Sequence, residues 1–180
     1  MGQRRGVRRV VGALAGLGVV VSMTALAPPA GAAVSGVAQL TSQQDLLPPS
    51  KGQVRYEEVT ATANDVVVRQ GQFGAVTIED GGVVIVGIHP SMSTGNCTSG
   101  VGSASCGYAN SFAVVSGLGD DTVSLHGTFW LGAAVSAGPG NDRVELLTND
   151  GNVHCGDGHD EVVASAGLSV SSNCEVVTRV

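Results

Sequence analysis

Gly117-Leu118-Gly119-Asp120-Asp121-Thr122-Val123, Gly138-Pro139-Gly140-Asn141-Asp142-Arg143-Val144 and Gly156-Asp157-Gly158-His159-Asp160-Glu161-Val162 are three copies of one heptad, G-x-G-x-D-x-V. Their starts lie 21 and then 18 residues apart. A chain with 27 Gly produces one such heptad by chance, but three at near-constant spacing mark an internal repeat. Two glycines separated by one residue permit a tight turn with positive φ and close backbone approach. The Asp follows where its carboxylate points back across that turn, and the Val begins an alternating strand. Val123 and Leu125 share a face, as do Val144 and Leu146, and Val162 and Ala164. An apolar run returns to each turn: Phe112–Val115, Leu131–Val135 and Val153. One period is thus turn, strand, loop and returning strand. Stacked periods predict a parallel β-solenoid with its glycine turns in one column.

These copies resemble the calcium-binding repeats of the RTX (repeats-in-toxin, hemolysin-type) family, whose nonapeptide reads G-G-x-G-x-D-x-U-x. The resemblance covers roughly residues 111–180, and the whole layout is similar to small exported actinobacterial proteins ending in such repeats and a final Cys-Glu. An 18-residue step equals two nonapeptides, which in that family is one coil. The family's first Gly is Ser116, Ala137 or Cys155 here. The alternate nonapeptides are degraded, with His126-Gly127 and Thr148-Asn149-Asp150-Gly151 in their place. The resemblance therefore implies a β-roll that binds metal on one side only. Calcium takes six to eight oxygens. The expected sites lie between coils, Asp121 and Asp142 flanking one ion, Asp142 and Asp160 a second. Carbonyls of Gly117, Gly119, Gly138, Gly140, Gly156 and Gly158 complete the shells, while Asp120 and Asp157 stay in solvent. The alternative is a metal-free solenoid in which each Asp caps a turn by hydrogen bonding, serving as a surface or adhesion module.

Upstream the pattern changes. Residues 1–9 hold Arg4, Arg5, Arg8 and Arg9, Val10 to Ala27 is apolar or small, and Ala30-Gly31-Ala32 supplies a peptidase-type site. This reads as a secretory signal over 1–33, cleaved near Ala32 or Ala33, the alternative being an uncleaved anchor. The paired arginines also admit a twin-arginine route. Residues 34–53, with Pro48-Pro49 and no sustained period, read as a flexible linker. Val54–Thr60, Val66–Arg69, Ala75–Ile78 and Val83–Ile88 read as short strands of an irregular β region over 54–110, punctuated by Asn64-Asp65, Gly71, Asp80-Gly81-Gly82 and His89-Pro90.

Composition sets outer bounds. The 180 residues carry 9 Lys and Arg against 15 Asp and Glu, and without residues 1–33 the balance is 5 against 15. That excludes a basic-patch nucleic-acid binder and fits a cationic partner, of which a divalent metal is the simplest. Only 6 residues are aromatic, so the core is built of Val, Ala, Leu and Ile, which suits thin stacked layers. Four Cys fit an oxidising compartment. Cys97 and Cys106 enclose a Gly/Ser-rich tip and are expected to pair, leaving Cys155 with Cys174, one coil apart. A Cys2His2 zinc set of His154, Cys155, His159 and Cys174 is disfavoured, because adjacent strand residues face opposite ways. No G-x-S-x-G, H-E-x-x-H or phosphate-loop motif is present, so no enzyme is expected. Trp130, beside Phe129, is expected to pack against a coil end, a sugar-stacking patch being the other reading. The expectation is an exported, all-β, calcium-binding β-roll with no membrane span once the signal is removed.

Overall fold

The computed structural model describes residues 36–44, 51–87 and 97–180. The signal segment read over 1–33 lies outside them. The described chain is all-β apart from one short 3-10 turn, Gln72–Gly74. Its strands are β1 (Gly36–Gln44), β2 (Lys51–Glu58), β3 (Asp65–Gln70), β4 (Val76–Gly87), β5 (Thr98–Ser99), β6 (Val101–Cys106) and β7 (Ser111–Val115). They continue as β8 (Thr122–Gly127), β9 (Ala133–Ser136), β10 (Arg143–Thr148), β11 (Gly151–His154), β12 (Glu161–Ala164), β13 (Ser169–Val170) and β14 (Val176–Arg179).

The repeat builds the solenoid that its period predicts. β3, β8, β10, β12 and β14 stack in parallel as one wall, and β2, β7, β9, β11 and β13 as the other. Register follows the heptads: Val123 pairs with Val144 and Val144 with Val162, while Leu125 pairs with Leu146 and Leu146 with Ala164. All six are buried between the walls. Opposite them Tyr56, Val114, Val135 and Val153 form a second buried file. Each file places apolar on apolar every coil, so burial of one apolar stripe per strand supplies the cohesion.

The N-terminal half departs from the sequence reading in three ways. First, residues 36–44 form a strand where a linker is expected. Ala38 and Leu40 supply its buried face, a stretch too short to show a period. The strand persists because β2 on one side and β4 on the other satisfy its backbone. Second, β2 and β3 are not part of an irregular region. They pair in parallel with β7 and β8 and so make the first coil of the solenoid. Third, Asp80-Gly81-Gly82 is no turn. β4 runs through it, pairing antiparallel with β3 before it and parallel with β1 after it. Gly82, at φ +91°, permits the bend, and the pairing of β4 with β6 shifts register there. β1 and β4 thereby join the two walls and close the bottom of the roll.

Both disulfides form as expected. Cys97 bonds Cys106 beside the β5–β6 hairpin. Cys155 bonds Cys174 across adjacent coils, with Cα atoms 5.4 Å apart. No helix among the described residues is long and apolar enough to cross a membrane.

Candidate functional site in the turn column

The turns leading from the β7 wall to the β8 wall lie one above another, and they bring Asp121, Asp142 and Asp160 into a single file. The three carboxylates are buried, with 2%, 2% and 0% of their residue surfaces exposed. Each uses Oδ1 to accept the backbone N–H of the coil below. Asn64 N–H donates to Asp121 (2.8 Å), Asp121 N–H to Asp142 (2.8 Å) and Asp142 N–H to Asp160 (2.9 Å). Asp160 N–H donates in turn to Glu175 Oε2 (2.8 Å). The backbone carbonyls of Asn64, Asp121, Asp142 and Asp160 accept N–H groups from the coil above, at 2.8, 2.8, 2.8 and 3.0 Å. Every coil-to-coil step is therefore clamped twice at this position.

Asn64 and Glu175, the ends of the ladder, lie outside the heptads because neither follows a G-x-G. Their place is set by register: Asn64 presents the backbone N–H that Asp121 accepts, and Glu175 the carboxylate that accepts Asp160 N–H. Asp120 and Asp157 are exposed, as expected, but Asp120 is not idle. Its Oδ1 accepts from Asn141 N–H (2.7 Å), and Asn141 Oδ1 accepts from His159 N–H (3.0 Å). This outer ladder runs in the opposite sense to the inner one.

The glycines explain how the coils approach. A Cβ built on Gly138 or Gly140 would lie 1.9 or 1.8 Å from the carbonyl oxygen of Gly117 or Gly119. On Gly156 or Gly158 it would lie 2.0 or 1.7 Å from that of Gly138 or Gly140. Their φ values run from +105° to +152°. Four of the six carbonyls expected to hold calcium thus press against the Cα of the next coil, and Gly156 O accepts from Asn173 Nδ2 (3.0 Å). The positions where the family has its first Gly hold Ser116, Ala137 and Cys155, all buried, with Ser116 Oγ donating to Ala137 O (3.0 Å).

One oxygen per carboxylate remains. Oδ2 of Asp121, Asp142 and Asp160 is buried without a hydrogen-bond partner. Two such atoms per gap fall short of the six to eight oxygens of a calcium shell. Among the described residues no three His, Cys, Asp or Glu side chains gather as a metal-holding group. Burial raises the Asp121 carboxyl from its ordinary 3.8 to about 6, against hydrogen bonding from Asn64 and with help from the neighbouring Asp142 charge. Burial raises Asp142 as well, and Asp160 and Asp120 add to it by repulsion. Beneath the ladder the Tyr56 hydroxyl donates to Asp80, and burial lifts both groups above their ordinary values.

The fold and this column define the class, a short two-walled parallel β-solenoid with an antiparallel base. No family model matches the chain, and no curated protein or solved structure matches it either.

Proposed function

We propose that the chain is an exported, non-catalytic surface module whose coils are held by hydrogen-bonded side-chain ladders and need no metal to stack. One observation carries this reading: each inner Asp spends Oδ1 on the amide of the adjacent coil while the glycine carbonyls abut the coil above. The disulfides support export, since such bonds persist in oxidising compartments.

A second reading, structural calcium between the coils, is favoured by the partnerless Oδ2 atoms of Asp121, Asp142 and Asp160. Buried like charges in file are costly unless neutralised, and a cation is one way to neutralise them. Thermal melts separate the two. For a metal-independent ladder, calcium and chelator give the same Tm. Asp142→Asn, which keeps an acceptor for Asp121 N–H, has little effect, whereas Asp142→Ala strands that amide and costs about 1–3 kcal/mol. A Tm that rises with calcium in the parent and ceases to do so in Asp142→Asn overturns the proposal and establishes calcium.

A further inference from the structure

Half of the six aromatics are inside: Tyr56, Phe112 and Phe129 are fully buried. The other three are outside and belong to neighbouring segments. Phe73 is 92% exposed, Trp130 81% and Tyr108 49%. Trp130 therefore does not pack against a coil end. Phe129 takes that place, its ring 6.1 Å from that of Phe112, while Trp130 lies in the turn that follows and faces outward. Phe73 also holds φ +59°, the only non-glycine residue with positive φ among those described. Such a backbone is unfavourable for a bulky side chain, and strain kept at an exposed aromatic points to function.

The surroundings are tied together by hydrogen bonds and, among the described residues, uncharged. Tyr108 and Trp130 line a groove of about 300 Å³ with Gln70, Asn110 and Thr128. Gln70 joins its two banks, accepting from Thr128 N–H (2.8 Å) and donating to Ala109 O (3.1 Å). Ala109 N–H donates to Gly74 O (2.8 Å), and Leu131 N–H to Asn110 O (2.9 Å). A Cβ on Gly74 would lie 2.7 Å from the Tyr108 ring, so the glycine lets the ring lie close on the backbone next to Phe73. The Tyr108 hydroxyl donates to Asn110 Oδ1, which fixes the ring. In a chain with 15 acids, no Asp, Glu, Lys, Arg or His among the described residues lines this groove.

We propose that this face is a binding site for a neutral polysaccharide, with sugar rings stacked on Trp130 and Tyr108 and hydroxyls meeting Gln70 and Thr128. Exposed aromatic faces offer apolar contact to the C–H face of a sugar. Amide and hydroxyl groups donate and accept as sugar hydroxyls do. A lining without charge suits an uncharged ligand, and a site already fixed by hydrogen bonds loses little entropy on binding. The site deepens the surface-module reading, but it is independent of how the coils are held.

Trp130 is the chain's only tryptophan, so its fluorescence reports the site directly. Full-length protein is titrated with cellohexaose, chitohexaose and laminarihexaose, and co-sedimented with insoluble cellulose and chitin. Expected is a saturable blue shift with at least one hexasaccharide. Tyr108→Ala weakens that titration at least about tenfold, and Trp130→Ala reduces co-sedimentation equally, with both variants melting as the parent. The proposal is overturned if none of the sugars binds, if binding survives in Trp130→Ala, or if a proline-rich peptide or neutral lipid vesicle shifts the fluorescence and the sugars do not. A calcium-dependent melt alongside sugar binding would sink only the metal-free reading, and absent sugar binding with a calcium-independent melt only this one.

Discussion

At the scale of the residue, the inner ladder makes a carboxyl group do the work of a backbone acceptor. Asp121 Oδ1 receives the Asn64 amide while its Oδ2 stays dry, so burial outweighs the hydrogen bond and the carboxyl titrates near 6 instead of 3.8. Between those values the folded chain holds a proton that the unfolded chain has released. The stabilisation is complete below the unfolded value of 3.8 and is lost as pH rises through about 6. Asp142 and Asp80, raised in the same direction, act with the same sign. In chelator-containing buffer the Tm is therefore expected to climb as pH falls from 7.5 to 4.5, with Asp121→Asn flattening the climb. A Tm that falls steadily over that range would show that the inner carboxylates are stabilised as anions.

At the scale of the element, turn and strand have separate tasks. Strands supply one buried stripe each, whereas the turns decide how closely coils approach. Gly140, at φ +152°, has Gly119 O only 1.8 Å from where its Cβ would be. Gly140→Ala is expected to cost about 1–3 kcal/mol from the backbone alone, and the clash adds to it. Gly81 has nothing within 4 Å of its Cβ position and no left-handed φ, so Gly81→Ala leaves stability almost unchanged. Urea unfolding of the two variants measures the difference, and equal losses would refute the close-packed column.

At the scale of the whole molecule, the roll is closed at one end and thin at the other. β1 and β4 seal the base, while the last coil rests on two-residue β13 and exposed β14. The Cys155–Cys174 bond, spanning 19 residues, holds that coil. Its removal as Cys155→Ser with Cys174→Ser is expected to destabilise the chain by about 3 kcal/mol, in the chain-entropy account. Hydrogen exchange should show the loss first in β13 and β14. Uniform loss across all coils would instead mean that the solenoid folds as one indivisible unit.

Much of this could be read without coordinates, and the boundary has a cause. Repetition is local: three G-x-G-x-D-x-V heptads fix the strand order, the Val register and the file of Asp121, Asp142 and Asp160, because equal sequence in each coil must occupy equal positions. Cysteine spacing fixed the two disulfides for a similar reason. Three things were hidden. Gly36–Gln44 carries too few apolar residues to announce a strand, and only the strands on either side make it one. Asn64 and Glu175 join the ladder through register alone. Tyr108 and Trp130 lie apart along the chain, and no pattern in it tells that the roll will set them on one groove. Sequence determined what each coil repeats; the tertiary fold decided what meets across coils, since those contacts depend on stacking distance and not on neighbours in the chain.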